Sequence, residues 1–506
     1  MWMTTLFLFV LFLVLVWAYS RHCYSYWTKR GVPSFPRPLP VLGHVSYMMS
    51  KKTPRWEYVD EMYKKHGGST FCGLYEFFKP LLMIGDPELA KLILIKDFDH
   101  FVDRRNFTFT TDTDDVANHF LTNATGSHWK GIRSVLSPSF TSGRMKGMFP
   151  LVADKAEKLV DYLKKQRKEK DSSTFLLKKT FGLYTLEVIA SCAFGMESGT
   201  MDNEDSIFNQ KVAALVNVRP LRLMKLMLFF FAPKFCQLLG LTFVQEEMFF
   251  FVDVVKEAIA QREAGLYRGD FLDLMLEARE NLEDPTSKTP KYPLTEMIIV
   301  ANSVLFILAG FDTTATTLSF VAFLLAKNPE AQEKLREELR GLIKEHGELN
   351  YQGIMGAKYL EACFSETLRL YSPAHVTERQ CTKEYKLPGT ELVIPREMVV
   401  SIPIHSIHHD ERFWPEPEEF RPERFLPENK DDIKTGTYLP FGLGPRNCIG
   451  MRFAQMEAKL IIAKILLNFE LSCAPGFEQM QFNTDPGIMR PSNEFEVAFK
   501  PLVQSE

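Results

Sequence analysis

The sequence predicts a large, mainly helical protein with a membrane-spanning helix at its N-terminus. Residues 1–20 contain no charged side chain, and residues 297–326 form a second long, largely apolar run. An amphipathic run over residues 451–467 has the spacing of a further helix. No Gly/Ser-rich linker and no repeat of solenoid length divides the 506 residues, so we expect one large domain after the first helix.

The composition gives no support for nucleic-acid binding or for a disulfide-bonded protein. The net charge of -3 gives no argument for binding nucleic acid. The eight cysteines are scattered and include no C-x-x-C pair, which favours reduced thiols over disulfides in a chain of this length. The 42 Phe and 21 Met residues indicate a large apolar interior that includes a pliable pocket.

The first segment, residues 1–20, has the length of a transmembrane anchor. Trp2 to Tyr19 spans about 27 Å as a helix, close to the hydrocarbon core of a bilayer. Basic residues follow it at Arg21, Lys29 and Arg30, which predicts a luminal N-terminus and a cytosolic body. A cleaved signal peptide is the alternative, but the apolar run is long and no basic residue precedes it.

Residues 21–44 are basic and proline-rich, and residues 45–506 form the expected main domain. Four prolines between Pro33 and Pro40 predict a stiff, extended hinge between anchor and body. The sequons at Asn106 and Asn123 would then be cytosolic and unglycosylated. An interfacial aromatic belt is expected at Trp17, Tyr19, Tyr24, Tyr26 and Trp27.

The apolar run 297–326 is predicted to be a buried core helix, because Asp312 at its centre would be costly in lipid. Pro293 fits its start and Asn328-Pro329 its end. Gly310 in the helix interior costs about 1 kcal/mol, which suggests a close approach or a local opening. Asp312 and Thr313 form an acid–alcohol pair that can relay protons to oxygen bound at a metal. Local back-bonding of threonine is the alternative.

One cysteine lies in a glycine-rich loop that reads Phe441-Gly-Leu-Gly-Pro-Arg-Asn-Cys-Ile-Gly450. Its glycines let the backbone approach a flat ligand closely. Backbone amides, Arg446 and the positive end of the following helix favour the thiolate of Cys448 as a metal ligand.

This loop resembles the haem-ligand loop of the cytochrome P450 family, the haem-thiolate monooxygenases, at every fixed position of Phe-x-x-Gly-x-Arg-x-Cys-x-Gly. Residues 309–314 match the oxygen-activation motif of that family. Glu366, Arg369 and Arg424 match its Glu-x-x-Arg helix and Pro-Glu-Arg-Phe loop, which implies a structural triad. The resemblance covers residues 31–500 and implies the cytochrome P450 fold, mainly α with a small β region in the N-terminal third and around 380–400.

The resemblance, to the microsomal branch that oxidises xenobiotics and steroids, implies insertion of one atom of O2 into lipophilic small molecules such as xenobiotics, steroids or fatty acids. Cys448 would bind the haem iron, and Asp312 and Thr313 would manage protons. The implied partners of the haem propionates are Arg104, Trp129, Arg133, Arg379 and Arg446, with Arg105 as a substitute for Arg104. Substrate contacts are implied in residues 106–124, 210–250, 302–313, 373–378 and 485–489.

The chain has no G-x-G-x-x-G fingerprint, P-loop or flavin motif, so electrons must come from a separate protein. The resemblance implies NADPH-cytochrome P450 reductase, with cytochrome b5 as an optional further donor, at the endoplasmic reticulum membrane. Lys130 and Lys434 are candidate docking residues. A haem-thiolate isomerase or dehydratase, and a non-enzymatic haem or lipid-binding protein, are the alternatives.

Two local patterns need separate interpretation. The family turn Ile-Pro-x-Gly reads Ile394-Pro-Arg-Glu397 here, which leaves the turn type open. His405, His408 and His409 could suggest a metal site, but no carboxylate or cysteine pattern accompanies them. We therefore interpret the three histidines as structural.

Overall fold

The structure is a computed structural model that describes residues 2–48, 53–105, 116–170, 173–216, 228, 236, 238–239, 246–283, 292–484 and 487–502. The chain forms two compact units. The first unit comprises Met1–Arg105, Glu366–Cys448 and Phe482–Arg490. The second unit comprises Asn106–Ser365, Ile449–Gln481 and Pro491–Glu506.

Helices dominate the described residues, as predicted. In chain order they are α1 (Trp2–Cys23), α2 (Val45–Met48), α3 (Arg55–Lys65), α4 (Pro87–Lys91), α5 (Gly126–Leu136), α6 (Ser142–Lys170), α7 (Leu177–Phe194), α8 (Ile207–Val216), α9 (Glu246–Glu263), α10 (Phe271–Glu283), α11 (Glu296–Lys327), α12 (Pro329–His346), α13 (Tyr351–Gly356), α14 (Lys358–Leu370), α15 (Ile404–His408) and α16 (Met451–Asn468).

The strands are short: β1 (Phe71–Glu76), β2 (Lys79–Ile84), β3 (Thr174–Leu176), β4 (Thr377–Gln380), β5 (Tyr385–Lys386), β6 (Val393–Ile394), β7 (Val399–Ile402), β8 (Phe469–Cys473) and β9 (Glu496–Pro501). In the first unit, four of them form a sheet in the order β1-β2-β7-β4, in which β2 and β7 are parallel. β5 and β6 form a small hairpin. These strands confirm the predicted β regions in the N-terminal third and around 380–400.

A further sheet of order β3-β9-β8 lies in the second unit and was not predicted. Its strand β3 has three residues and pairs with β9, which lies more than 300 residues later in the chain. A strand this short gives too little alternation to be recognised in a sequence.

The segment after α1 packs against β1 within the first unit. Phe35 N–H donates to the carbonyl of Gly73 at 3.1 Å, and Gly73 N–H donates to that of Pro33 at 2.7 Å. Trp27 is fully buried, and its indole Nε1 donates to the carbonyl of Leu74 at 2.9 Å. The interpretation of Trp27 as an interfacial residue was therefore wrong, because the first unit buries its ring instead.

The second unit is organised around α11, whose side chains are buried over most of its length. Thr295 caps the helix by accepting a hydrogen bond from Ile298 N–H, so Pro293 lies just outside the start that we predicted for it. The helix ends at Lys327 and Asn328 caps it, as the Asn-Pro signal predicted. Its middle packs against α7, where Thr185 Oγ1 donates to the carbonyl of Phe311 at 3.1 Å.

Candidate active site

The cysteine loop of the first unit is held by its own backbone. Cys448 N–H donates to the carbonyl of Phe441 at 2.8 Å, and Gly442 N–H donates to that of Leu439 at 2.9 Å. Gly442 and Gly444 both have positive φ, and a Cβ on Gly444 would lie 1.8 Å from the carbonyl oxygen of Leu94. Gly444 is therefore required for packing of the loop within its own unit. From the sequence, we had expected the loop glycines to allow close approach of a flat ligand.

Cys448 differs from the other cysteines in its surroundings. It is exposed, whereas Cys72 and Cys381 are buried, and burial raises the pKa of these two thiols to about 12 and about 11. A thiol must ionise to bind a metal, so neutral buried thiols are poor candidates. The geometry thus supports Cys448 as the reactive cysteine, at the end of a loop with fixed backbone.

A buried ion-pair network supports this loop from behind. Glu366 and Arg369 of α14 are fully buried, and two hydrogen bonds of 2.8 and 2.9 Å join them. Arg424 Nε donates to the same carboxylate at 3.3 Å. The predicted contacts of the triad are therefore confirmed. The buried charges are tolerated because other groups satisfy the remaining guanidinium protons, among them the carbonyl of His408 at 2.8 Å.

His408 connects the triad to the cysteine loop. Its Nδ1 lies 3.2 Å from the carbonyl of Arg369, and its Nε2 accepts a hydrogen bond of 2.8 Å from Leu439 N–H. Burial, together with the neighbouring His409 and Arg369, lowers the pKa of His408 well below its ordinary value, so the ring is neutral. These contacts confirm the structural interpretation of this histidine.

Three arginines predicted as propionate partners lie together in the first unit. Arg104 Nη2 donates to the carbonyl of Arg446 at 3.0 Å. Burial lowers the pKa of Arg379 well below its ordinary value, and the charges of Arg104 and Arg446 lower it further. Nε and Nη2 of Arg379 have no hydrogen-bond partner among the described residues. Such a group of buried cations needs an anion to compensate it.

Arg105, the substitute that we considered for Arg104, already pairs with two carboxylates. It forms ion pairs with Glu76 and, at 3.2 Å, with Glu378. A guanidinium held between two carboxylates gains little from a further anion. The arrangement therefore favours Arg104 over Arg105 as a partner of a bound carboxylate.

In the second unit, α11 is accessible on one short stretch at its middle. Ala309 is exposed, and Leu308, Gly310, Phe311 and Thr313 are partly accessible, whereas the helix is otherwise buried except at its two ends. The Thr313 hydroxyl donates to the carbonyl of Ala309 at 2.6 Å, the local back-bond that we named as the alternative. A Cβ on Gly310 would lie 3.1 Å from Ile189 of α7, so this glycine serves helix packing.

Asp312 points toward α7 and pairs with a residue that sequence reasoning missed. Lys178 Nζ lies 2.6 Å from Asp312 Oδ1 and donates to the carbonyl of Asp312 at 2.8 Å. It also donates to Thr316 Oγ1 at 2.8 Å. Lys178 precedes Asp312 by 134 residues, and no local pattern connects them. The side chains of Asp312 and Thr313 therefore make different contacts, although the two residues are adjacent.

Trp129 and Arg133 lie one turn apart on α5 of the second unit, as predicted. Trp129 is buried and Arg133 is partly exposed. The segment before α5 is fixed by Asn302 of α11, whose side chain accepts from Leu121 N–H at 2.9 Å and donates to the carbonyl of His119 at 3.0 Å. Sequence reasoning missed Asn302, because a lone asparagine in an apolar helix gives no signal of its partners.

Comparison with known proteins identifies the family. The family model for Cytochrome P450 matches residues 33–499. Cytochrome P450 3A2 of Rattus norvegicus is 39% identical over 468 residues, which cover 91% of this chain and 90% of that protein. Two proteins of Blattella germanica are similarly close. Cytochrome P450 9e2 is 36% identical over 472 residues, 88% of each chain, and cytochrome P450 6k1 is 35% identical over 504 residues, 96% and 95% of the two chains.

The chain belongs to the cytochrome P450 family.

This membership confirms the predicted fold class, the monooxygenase activity and the haem cofactor. The residues of the first unit fit that cofactor by their own chemistry. Cys448 is exposed on a hydrogen-bonded loop, and Arg379 offers buried donors that have no partner in the part of the chain that the structure describes. As a cytochrome P450, the protein takes electrons from a separate redox partner. The family and the apolar helix α1 together indicate anchoring in the endoplasmic reticulum membrane.

The structure gathers the predicted residues of this cytochrome P450 in two groups. Arg104, Arg379, Arg446 and Cys448 lie in the first unit, and Trp129, Arg133, Asp312 and Thr313 in the second. Of the expected substrate-contact segments, 302–313 and 373–378 are described. Residues 106–115, most of 217–245, and 485–486 lie outside the described residues.

Proposed function

We propose that this cytochrome P450 is anchored by α1 with its body in the cytosol and oxidises lipophilic small molecules with electrons from NADPH-cytochrome P450 reductase. Cytochrome b5 serves as a further donor. The observation that carries the proposal is the exposed Cys448 on a hydrogen-bonded loop, in the same unit as the buried Arg379, two of whose donors have no partner among the described residues. Purified holoprotein with reductase, NADPH and oxygen should convert apolar compounds to hydroxylated products. Turnover that needs neither reductase nor oxygen would instead indicate an isomerase or dehydratase.

Cys448 holds the haem iron in this proposal, and the bound haem supplies the activation of oxygen. Arg104, Arg379 and Arg446 neutralise the propionates, and Trp129 and Arg133 add an indole donor and a guanidinium. The support for Arg379 is the absence of any partner for its Nε and Nη2 among the described residues. A bidentate guanidinium–carboxylate pair would satisfy both atoms at once.

Thr313 and Asp312 manage the delivery of protons. Thr313 lies on the accessible stretch of α11, and its hydroxyl both donates to Ala309 and keeps lone pairs free to accept. Lys178 pairs with the Asp312 carboxylate, and no direct hydrogen bond joins this carboxylate to the Thr313 hydroxyl among the described contacts, so a water molecule would have to connect the acid and the alcohol.

The replacement Thr313→Ala tests this role. The variant should bind haem and substrate normally, but it should release more peroxide and form less product per NADPH. Thr317→Ala is the matched control, since Thr317 Oγ1 makes the same back-bond to the carbonyl four residues earlier, at 2.9 Å, but is buried. Equal uncoupling in both variants would show that helix geometry, and not the Thr313 hydroxyl, controls the proton supply.

The substrate is lipophilic because the accessible stretch of α11 carries mainly apolar side chains. Leu308, Ala309 and Phe311 present no charge on the accessible part of α11. On such a surface, burial of apolar area stabilises a bound ligand, and polar contacts contribute little to the choice between ligands. Spin-state titrations of the purified holoprotein with a set of sterols, fatty acids and aromatic drugs test the class, and a preference for charged, water-soluble compounds would contradict it.

Electron transfer depends on basic residues that the reductase recognises. Lys130 and Lys434 are our candidates, and both are exposed. Lys434 lies 3.7 Å from Glu88, which reduces its local positive field. Changing Lys130 and Lys434 together to Glu should slow reduction by the reductase, most at low salt, and leave peroxide-driven turnover intact. Equal loss in both assays would indicate a folding defect.

A cytosolic body leaves both sequons unmodified. Asn123 is partly buried, and its side-chain amide donates to the carbonyl of Ala117 at 3.0 Å. Asn106 lies outside the described residues. Protease added to intact microsomes should degrade the body, and endoglycosidase should leave its gel mobility unchanged. A protected, glycosylated body would reverse the proposed topology.

A further inference from the structure

Asn302 is a polar residue in a buried, apolar part of α11. It is fully buried, and so are the residues around it from Ile298 to Ile307. An amide in such surroundings costs stability unless hydrogen bonds satisfy it. Its Oδ1 accepts from Leu121 N–H at 2.9 Å, and its Nδ2 donates to the carbonyls of His119 at 3.0 Å and Ile298 at 2.8 Å. Two of these three bonds attach another segment of the second unit to α11.

The segment that Asn302 holds, residues 116–124, is a compact turn with hydrogen bonds of its own. The carbonyl of Phe120 accepts two backbone hydrogen bonds, at 2.8 and 2.9 Å. The side chain of Asn123 donates to the carbonyl of Ala117 at 3.0 Å. These bonds hold the segment in one shape, so its two bonds to Asn302 set where it lies on α11.

The chain that follows this segment is anchored separately. α5 begins at Gly126, and the ring of His128 makes a short hydrogen bond with the hydroxyl of Tyr292, four residues before α11 begins. The ring of Tyr292 packs so closely on α5 that it leaves no room for a Cβ on Gly131. Because α5 has its own anchor, the position of the segment before it depends on Asn302.

Asn302 lies on the same face of α11 as the accessible stretch. Ala309 follows Asn302 by seven residues and Thr313 follows it by eleven. At 3.6 residues per turn, both lie within about 20° of the direction of Asn302. Ala309 is exposed and Thr313 is partly accessible, whereas the segment covers Asn302. The segment therefore lies over the face that carries the proposed substrate surface, about 10 Å from Ala309 along the helix axis.

We propose that Asn302 is a positioning residue for substrate selection in this cytochrome P450. Its amide holds residues 116–124 as a wall beside the accessible stretch of α11, and the position of this wall limits the size of a ligand that fits over Ala309. The inference rests on the proposed function, because it takes the accessible stretch as the substrate surface. Its test measures ligand binding to the holoprotein, which needs no turnover.

The first variant is Asn302→Leu in the full-length holoprotein. Leucine suits the apolar surroundings, but it leaves Leu121 N–H and the carbonyl of His119 without their partner, so the segment loosens. Hydrogen exchange at Leu121 should become faster by about tenfold, as expected for loss of a buried hydrogen bond. The reduced carbon monoxide spectrum verifies that the variant is folded with haem.

Two iron-binding probes of different size then report the space over α11. Dissociation constants of imidazole and 4-phenylimidazole are measured from the haem absorption of the native protein and of Asn302→Leu. Imidazole should bind almost equally to both proteins, because it is too small to reach the segment. The ratio of the two constants should change by about fivefold, since only the phenyl ring meets the displaced wall. A residue that merely stabilised the fold would not shift this ratio.

Ser303→Ala is the matched control. Ser303 follows Asn302 directly, is also fully buried, and its Oγ has no hydrogen-bond partner among the described residues. Its replacement removes a buried hydroxyl from α11 without a change at the segment, so both the exchange at Leu121 and the probe ratio should stay native. Equal changes in Ser303→Ala and Asn302→Leu would show a general disturbance of α11 and refute the role of Asn302.

Asn123→Ala loosens the same segment from its own side, because it removes the bond to the carbonyl of Ala117. It should shift the probe ratio in the same direction as Asn302→Leu but by less. It also provides the test if Asn302→Leu does not retain haem, since an unchanged ratio in Asn123→Ala would refute the segment as a wall of the ligand site.

The two readouts separate this inference from the proposed function. Faster exchange at Leu121 with an unchanged probe ratio would show that Asn302 holds a segment that does not border the ligand, which overturns the inference and leaves the proposed function in place. Absence of turnover by the native holoprotein with reductase, NADPH and oxygen would count against the proposed function, whereas the probe ratio would still decide the role of Asn302.

Discussion

Replacement of Lys178 by Met tests the strongest contact of the candidate active site that the sequence did not reveal. Lys178 makes three polar contacts of 2.6 to 2.8 Å with α11, and its side chain and that of Asp312 are each 12% exposed. Removing one partner of a fully buried pair costs about 3–5 kcal/mol. Because some water reaches this pair, we expect Lys178→Met to lower the free energy of unfolding by about 2–3 kcal/mol.

The chain provides a matched control one residue away. Lys179 lies on the same helix and pairs with Glu204 at 2.5 Å, but its side chain is 51% exposed. An exposed pair contributes about 0.5 kcal/mol or less, so Lys179→Met should be nearly silent. Both variants are compared with the native holoprotein by denaturant unfolding, followed by circular dichroism and by the haem absorption band.

A double-mutant cycle then isolates the pair itself. Asp312→Asn and Lys178→Met should together cost less than the sum of their separate costs, with a coupling of about 1–3 kcal/mol. Lys178→Met should also lower product formed per NADPH, because the Asp312 carboxylate loses its fixed position. If Lys178→Met is no more destabilising than Lys179→Met, and the cycle shows no coupling, the reasoning from this contact is refuted.

Four further replacements have definite expected outcomes. Cys448→Ser should lose the thiolate-type absorption of the reduced carbon monoxide complex, and an unchanged spectrum would contradict the assignment of the iron ligand. Arg379→Met should speed transfer of haem to apomyoglobin by about tenfold, equivalent to ~1.4 kcal/mol, because the propionate loses a charged donor. Glu397 has φ +72°, where the family turn carries glycine, so Glu397→Gly should raise the free energy of unfolding by about 1 kcal/mol. Glu457 is buried, and burial raises its pKa well above the ordinary value, so the native state keeps a proton that the unfolded state releases. Stability therefore falls by about 1.4 kcal/mol per pH unit above the unfolded pKa. Glu457→Gln should remove this slope between pH 5.5 and 7.5 in thermal melts, whereas the exposed Glu470→Gln should not.

Contacts within a short stretch of chain were predictable from the sequence. The cysteine loop needs glycines and an arginine at fixed spacing, and Glu366 and Arg369 lie one turn apart on a helix, so both patterns are visible in a few residues. The fold class was implied by the family resemblance that such motifs carry. These features depend on local geometry, and tertiary packing does not change them.

Contacts between distant segments were not predictable. Lys178 and Asp312 are separated by 134 residues, and each alone has an ordinary role on a helix. Trp27 was assigned wrongly for the same reason. An aromatic residue next to a membrane helix is typical of an interfacial belt, but Trp27 is fully buried and its indole donates to Leu74 of β1. A sequence gives the chemical type of a side chain, and only the packed chain determines which partner it meets.

The buried triad of the first unit illustrates why such costly groups are retained. Glu366 and Arg369 are both fully buried, and a pair of this kind contributes little net stability by itself. The pair instead positions other groups of the first unit. Arg369 donates to the carbonyl of His408 at 2.8 Å, and His408 Nε2 accepts from Leu439 N–H at 2.8 Å. Leu439 in turn accepts from Gly442 in the cysteine loop at 2.9 Å. Only a neutral His408 can accept that bond, and its lowered pKa keeps the ring neutral, so the triad fixes the start of the loop that carries Cys448.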